Sequence, residues 1–356
     1  MAAAKVRLSF LEKLDLLPAF VSIIATAILA VFTGPFRGQS GARKYSTHIS
    51  HAIARKSLTR LSPLQGQYLQ PSTRAAYEIF ARKKGIKPET IGLKHGVLGH
   101  WVGMKEAKNI LVYFHGGGFA LPAAPEYFDF FSTMVEALNT AGGDIAIFFL
   151  SYTLTPHATY PTQIRQAVEG VRYIVADTGR RPSNVIIGGD SAGGNLVLAV
   201  LSHISHPHSE IEPLELFEPL AGAVAIAPWI SFETDWPSMK ANRHKDIVAS
   251  ASAKRWSEAY LGGLAGHDYY NEPIIAPADW WKGIKAKQIL VLAGGDEVLL
   301  SSIQMFTETL QSVASQTETF IGQYETHVAP IVEPILGDKS ETQQGKKLKS
   351  WLSDRL

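Results

Sequence analysis

The turn at residues 189–193, Gly-Asp-Ser-Ala-Gly, constrains the fold of this chain more than any other segment. The residues before it, 185–188, form a short apolar run rich in β-branched side chains, which is typical of a buried strand. The residues after it, 195–203, are apolar enough for a buried helix. A strand that turns sharply into a helix holds the serine of such a turn, Ser191, exposed at the end of the sheet. The segment therefore predicts an α/β fold and a candidate nucleophile.

A second turn of small residues, His-Gly-Gly-Gly at residues 115–118, follows the apolar run 110–114. Glycine leaves the backbone open to a ligand, and backbone N–H groups can stabilise the negative oxygen of a tetrahedral intermediate. We expect the N–H groups of Gly116 and Gly117, with that of Ala192 beside the nucleophile, to form an oxyanion hole. The histidine of the turn is expected to fix this loop by hydrogen bonding and not to act as the base.

Three further apolar runs, at residues 145–150, 221–226 and 289–293, are predicted strands. Amphipathic or apolar helical segments lie between several of the runs, for example at residues 161–175. Continuous apolar runs are typical of strands buried on both faces of a parallel sheet. Their alternation with helices predicts a doubly wound, mostly parallel sheet.

The same patterns suggest how the chain is divided. The α/β domain is expected at residues 109–356, after a membrane anchor at 1–37 and a leading segment at 38–108. Periodicity weakens over residues 230–285, which predicts a helical cap inserted in the domain. Five of the seven tryptophans lie at or near this insertion. They either pack the cap onto the core or line an apolar substrate pocket.

The general base should be a histidine that follows a late strand and comes after the serine in the chain. His327 meets both conditions, because it follows the strand-like residues 317–324. Its acid partner should follow the strand at 289–293, where Asp296 and Glu297 are adjacent candidates. Spacing does not choose between them. The order serine, acid, histidine is that of α/β-hydrolases.

The N-terminal segment is long and apolar. Residues 16–32 are almost wholly apolar, and a helix of that length spans about 26 Å, close to the ~30 Å of a bilayer's hydrocarbon. A signal peptide would have a cleavage site of small residues, and an amphipathic helix would have a polar face. The segment therefore predicts a single membrane-spanning anchor. Lys and Arg are more frequent after it than before it, which favours a cytosolic catalytic domain.

Composition excludes several classes of protein. The chain has no cysteine, so it has no cysteine nucleophile, thiolate metal site or disulfide. Its formal net charge is only +2, which gives no indication of nucleic-acid binding. We expect no metal and no cofactor. The oligomeric state is left open.

The chain resembles the hormone-sensitive lipase-like family of α/β-hydrolases, α/β-hydrolase fold-3, from about residue 109 to 330. The resemblance rests on the two turns above, extended to Phe119 and Gly194, and is closest to fungal membrane-anchored, steryl acetyl hydrolase-like esterases. It implies an α/β-hydrolase fold with a helical cap. Glu297-Val298-Leu299 is similar to one setting of the family's acid, so the resemblance implies Glu297 first and Asp296 second. One departure is His157, where many members have glutamate.

Carried onto this chain, the resemblance implies Ser191 as nucleophile, His327 as base, and Gly116, Gly117 and Ala192 as the oxyanion hole. The implied activity is that of a serine carboxylester hydrolase, a deacetylase of a lipophilic ester such as a sterol or secondary-metabolite acetate. The alternatives are an acyltransferase with the same site and a non-catalytic ligand-binding member of the fold. The expected partners are the lipophilic ester and, through the N-terminal helix, a membrane, which we expect to be the endoplasmic reticulum.

Overall fold

A computed structural model describes residues 6–263 and 266–356 of the chain. Its strands are β1 (Thr90–Gly92), β2 (Leu98–Val102), β3 (Asn109–Phe114), β4 (Ile145–Ser151), β5 (Val185–Asp190), β6 (Gly222–Ile226), β7 (Ile289–Gly294) and β8 (Thr317–Gly322). They form one sheet in the order β1-β2-β4-β3-β5-β6-β7-β8. The pairs β1/β2 and β2/β4 are antiparallel, and all the other pairs are parallel.

Helices cover both faces of the sheet. The α-helices of the described residues are α1 (Phe10–Thr33), α2 (Tyr45–Arg60), α3 (Pro63–Leu69), α4 (Thr73–Lys84), α5 (Pro125–Thr140), α6 (Thr162–Arg172), α7 (Ala192–Ser205), α8 (Pro237–Ala241), α9 (Ser250–Leu261), α10 (Leu300–Val313), α11 (Ala329–Ile335) and α12 (Gln343–Ser353). One core lies between the sheet and α6, α7 and α10. The other lies between the sheet and α4, α5 and α12.

Strand β3 shows why the central strands are continuously apolar. Ile110 and Val112 point into one core, whereas Leu111 and Tyr113 point into the other. Since side chains alternate along a strand, both sets must be apolar when both faces are covered. The predicted doubly wound, mostly parallel sheet is confirmed, and it places the ends of β3 and β5 side by side.

The sheet begins earlier than the boundary expected at Asn109. Strands β1 and β2 precede that residue and pair with the edge of the parallel sheet through β4. The sequence conceals β2 because Gly99 and His100 interrupt its apolar pattern. Glycine is needed at position 99, because a side chain there would overlap the ring of Phe148, and buried His100 contacts Thr90 across the strands.

Part of the leading segment packs onto the insertion that follows β6. Helix α2 contacts α9, and the guanidinium of Arg255 on α9 donates to the carbonyl oxygens of Thr59 and Leu61. The cap therefore combines the insertion with helices from the leading segment. Long apolar α1 lies along α2 and contacts α3.

Candidate active site

Ser191 lies at the turn between β5 and α7. Its φ of 53° is a conformation that residues with side chains rarely adopt. The turn is held from both sides, since the Ser191 N–H donates to the Ile226 carbonyl at 2.8 Å and its carbonyl accepts from Asn195 and Trp229. A side chain at Gly193 would overlap the carbonyl oxygen of Phe114. The small residues of the turn thus let α7 start directly against β3, which places the serine at the carboxyl ends of the strands.

The glycine-rich loop after β3 is tied to the residue that precedes the serine. Asp190 is buried, and its Oδ1 accepts from the Gly116 N–H at 2.9 Å and from the Tyr113 hydroxyl at 2.8 Å. Its Oδ2 accepts from the Tyr127 hydroxyl at 2.8 Å. Burial raises the pKa of Asp190 to about 6, although these three donors lower it. The two predicted turns are therefore joined by one carboxylate.

This contact differs from what the sequence suggests for Gly116. Its single N–H proton is already donated to Asp190, so it is not free to bind an oxyanion. Within the described residues, the N–H groups of Gly117 and Gly118 have no partner, and both glycines line the pocket beside Ser191. The N–H groups that remain available to an oxyanion here are those of Gly117, Gly118 and Ala192, whereas the sequence suggests Gly116, Gly117 and Ala192.

His115 is placed to hold this loop, as the sequence suggests. Its Nδ1–H donates to the Gly116 carbonyl at 2.7 Å, and its own carbonyl accepts from the Tyr152 hydroxyl at 2.7 Å. Burial lowers the pKa of His115 to about 4, so the ring is neutral at pH 7. A neutral ring that already donates to its own loop fits a positioning role.

The acid and the base predicted from the sequence meet in the structure. His327 follows β8 and Glu297 follows β7, and Nδ1 of His327 lies 3.5 Å from Oε1 of Glu297. This separation is longer than a hydrogen bond, and neither atom has another partner among the described residues. Such contacts commonly tighten when substrate binds. The other oxygen of Glu297 accepts from the Gly294 N–H at 2.6 Å, which fixes the carboxylate.

Asp296 turns away from His327. Its Oδ1 lies 2.7 Å from Nζ of Lys245, in a largely buried ion pair. Of the two adjacent carboxylates, only Glu297 faces the imidazole. We therefore keep Glu297 as the proposed acid and assign Asp296 to an ion pair with the cap.

A third carboxylate, Asp246 of the cap insertion, joins the acid loop to the histidine loop. Its Oδ2 accepts from the Val298 N–H at 2.7 Å, and its Oδ1 accepts from the His327 N–H at 3.3 Å. The side chain is fully buried. The sequence offers no indication of this contact, because Asp246 is 81 residues from His327 and belongs to no motif.

The charges around His327 favour its protonated form. Burial by itself lowers the pKa of His327, but the carboxylate of Glu297, with those of Asp246 and Asp190, outweighs burial and raises it. Burial raises the pKa of Glu297, and so does Asp246, whereas His327 lowers it. An imidazolium formed during a reaction would thus be stabilised by carboxylates from three loops.

Ser191 and His327 line one apolar pocket of about 350 Å³. Its wall includes the glycine-rich loop, Trp256 of α9 and Leu58 of α2. Among the five tryptophans of the cap region, Trp256 alone lines this pocket. Trp229 packs against Phe119 and Phe232, and the others also pack against neighbouring side chains, so the packing interpretation holds for most of them. In the described part of the chain, no group of His, Asp and Glu side chains could hold a metal ion.

Comparison with known proteins finds similar sequences and folds. A family model described as steryl acetyl hydrolase matches residues 93–352. Steryl acetyl hydrolase 1 of Saccharomyces cerevisiae is 30% identical over 204 residues, which cover 53% of this chain and 45% of the yeast protein. An acetyl-hydrolase of Streptomyces hygroscopicus is 27% identical over 60% of this chain and 66% of its own length. The matches thus span about half to two thirds of these relatives. The crystal structure of an esterase from the bacterial hormone-sensitive lipase family superposes with a TM-score of 0.65 at 23% identity, over 88% of this chain and 97% of that one.

Proposed function

Because the chain belongs to the steryl acetyl hydrolase family, we propose that it is a serine carboxylester hydrolase that removes acetyl groups from lipophilic esters. The observation that carries this proposal is the convergence of Ser191, His327 and the glycine-rich loop on one apolar pocket. The buried carboxylate of Glu297 against the far side of the imidazole supports it. Together these groups supply a nucleophile, a base and donors for an oxyanion.

The proposed reaction has two halves. His327 takes the proton of Ser191 while the serine oxygen attacks the ester carbonyl, and the carbonyl oxygen becomes an oxyanion. The free N–H groups of Gly117, Gly118 and Ala192 bind that oxyanion. When the intermediate collapses, His327 gives its proton to the departing alcohol, and an acetyl-serine remains. Water, deprotonated by His327, then attacks the acetyl-serine, and His327 returns that proton to the departing Ser191 oxygen as acetate is released.

The pocket supports a lipophilic ester. Its walls are mostly apolar, so burying an apolar alcohol there is favourable. The yeast relative is named for the hydrolysis of steryl acetates. We therefore propose a sterol acetate, or an apolar secondary-metabolite acetate, as the substrate.

The purified full chain is expected to release acetate from a steryl acetate, with kcat/KM at least about tenfold above that for a long-chain steryl ester, because a pocket of about 350 Å³ leaves more of the longer ester outside it and the relatives are named for acetyl hydrolysis. Quantification of free acid and free sterol measures this preference. An alcohol acceptor is included in a parallel reaction. Equal rates on both esters would contradict the acetyl preference, and transfer of the acetyl group to the acceptor with little free acid would indicate an acyltransferase.

Asp246→Asn is expected to move the acidic limb of the kcat/KM profile to lower pH. The charge of Asp246 raises the pKa of His327, and only the neutral imidazole can take the serine proton. When that charge is removed, the pKa falls and the base is neutral at a lower pH. The amide also leaves one loop N–H unpaired, which costs about 1–3 kcal/mol of unfolding free energy.

The pH dependence of p-nitrophenyl acetate hydrolysis measures this shift. Asp235→Asn is the matched control, because Asp235 is an exposed aspartate of the same insertion. Its profile should coincide with that of the wild type. If Asp246→Asn lowers kcat/KM at every pH and leaves the midpoint in place, Asp246 acts only by holding the loops.

We further propose that α1 attaches the protein to a membrane. The segment Phe10–Phe36 has a mean hydropathy of 2.3 and is long and apolar enough to cross a bilayer. The single-pass topology and the endoplasmic reticulum location that we expected from the sequence stay predictions.

A further inference from the structure

Helix α1 has two different faces. One face carries small or short residues that are buried or half-buried against α2, among them Ala19, Thr26 and Ala30. The opposite face is formed by large apolar side chains that are exposed along the whole helix. They are Phe10, Leu11, Leu14, Leu17, Phe20, Val21, Ile24, Ile28, Leu29, Val31 and Phe32.

Contacts at both ends hold α1 antiparallel to α2. Near the start of α1, Asp15 forms an ion pair with Arg60 at the end of α2. Near the end of α1, the Val31 carbonyl accepts from the hydroxyl of Tyr45 at the start of α2, at 2.7 Å. We call this pair of helices the α1–α2 hairpin.

The other side of α2 is fixed to the catalytic domain. Buried His51 donates from Nδ1 to the Lys245 carbonyl at 2.7 Å, and its Nε2 lies 2.9 Å from a carboxylate oxygen of Glu333. Arg55 donates to the Asp246 carbonyl. Helix α2 is therefore enclosed between α1 and the domain, so that α1 lies flat on the protein.

This packing argues against a spanning helix, and so against the single-pass topology expected from the sequence. If α1 crossed a bilayer, α2 beside it would enter the hydrocarbon with Arg55, Lys56 and Arg60, and the domain attached to α2 would follow. We propose instead that α1 lies in the plane of the membrane surface, with its exposed apolar face buried in one leaflet and both of its ends on the same side. The proposal refines the membrane attachment proposed above and is independent of the hydrolytic activity.

A lipid surface fits the exposed face better than a second copy of the chain does. The carboxylate of Asp15 pairs with Arg60 of α2 and accepts from Gln65 of α3, and that of Glu12 accepts from the N–H and hydroxyl of Ser9 at the start of α1. Of the charged side chains exposed near the face, Arg7 and Lys13 at its start are basic, whereas Lys44 beyond its end pairs with Asp338. Large apolar residues with basic residues near one end match a leaflet that contains anionic headgroups.

The same hairpin contributes to the pocket. Leu58 of α2 lines it, and so do Gln70 and Pro71, which directly follow α3. Since α1 contacts both α2 and α3, the membrane-facing helix is one layer away from this wall of the pocket. A lipophilic ester dissolved in the leaflet would therefore have a short path to Ser191.

Because the chain lacks cysteine, single-cysteine variants can locate the two ends of α1. Arg7→Cys precedes the helix, Gln39→Cys follows it, and Met104→Cys marks the catalytic domain, where Met104 is 72% exposed. The full chain is bound to sealed phosphatidylcholine–phosphatidylserine vesicles and treated with a membrane-impermeant maleimide. We expect all three positions to be labelled to the same extent before detergent is added. If Arg7→Cys is protected until detergent opens the vesicles while Met104→Cys is labelled, α1 spans the membrane and the proposal is wrong.

Vesicle flotation tests the exposed face. The double variant Leu17→Lys/Ile24→Lys is expected to lose flotation with the vesicles, and the wild type is expected to float better when phosphatidylserine is present. Met104→Lys, the same type of substitution away from α1, should float like the wild type. The proposal is wrong if the double variant still floats with the vesicles. It is also wrong if the wild type does not bind vesicles and is a dimer in lipid-free buffer. Hydrolysis of p-nitrophenyl acetate by the same samples shows that the variants are folded. If the wild type floats but does not hydrolyse the ester, the proposed hydrolytic function is wrong and the membrane orientation is not affected.

Discussion

Ser191→Ala is expected to reduce the hydrolysis of p-nitrophenyl acetate by about 10⁵–10⁶-fold, the loss seen when a serine nucleophile is removed from a complete triad. Alanine has no oxygen to form the acetyl intermediate. The fold should survive, because the turn is held by backbone contacts to Ile226, Asn195 and Trp229, which alanine keeps. Initial rates, with circular dichroism to check folding, measure the effect.

Ser132→Ala is the matched control for this substitution. Its hydroxyl donates to Glu136 on the surface of α5, away from the pocket, so wild-type rates are expected. A fluorophosphonate probe should form a covalent adduct with the wild type and with this control, and none with Ser191→Ala. Hydrolysis by Ser191→Ala at the rate of the wild type would contradict the proposed chemistry.

Glu297→Gln is expected to reduce kcat by about 10³–10⁴-fold, whereas Asp296→Asn should reduce it less than about tenfold. The amide of glutamine cannot stabilise an imidazolium, and it can favour the wrong tautomer of His327. The pKa of His327 should also fall, because the Glu297 carboxylate raises it. Asp296→Asn removes a largely buried ion pair with Lys245 but leaves the carboxylate beside His327 in place.

Rates of the two variants on the same ester, over a range of pH, distinguish the adjacent carboxylates. The pair is well matched, because each change replaces a carboxylate with its isosteric amide at neighbouring positions. If Asp296→Asn lowers kcat more than Glu297→Gln does, Asp296 is the acid partner of His327 and the assignment of Glu297 is wrong.

The fold was predictable because the patterns that determine it lie within short segments of the sequence. A sheet covered on both faces requires continuous apolar strands, and the turns after β3 and β5 required glycine and other small residues at fixed positions. These patterns are visible in a single sequence. Strands β1 and β2 were missed because they are short, and the pattern of β2 is broken by Gly99 and His100.

The site was only partly predictable, for two different reasons. The sequence indicated which loops carry Ser191, Glu297 and His327, and the structure brings these loops together, but their catalytic roles stay predictions. A sequence does not show which atoms are already bonded, so it could not reveal that the N–H of Gly116 is donated to Asp190. Nor could it reveal Asp246, whose contacts join segments that are far apart in the chain.

The position of Leu58 in the pocket wall has a consequence for kinetics. If α1 lies in the plane of the leaflet, a lipophilic ester reaches this wall of the pocket by diffusing within the membrane. The rate then depends on the mole fraction of ester among the lipids. Adding inert lipid to a fixed amount of ester would then slow turnover, although the bulk concentration stays the same. For such an enzyme, the composition of the membrane is itself a determinant of rate.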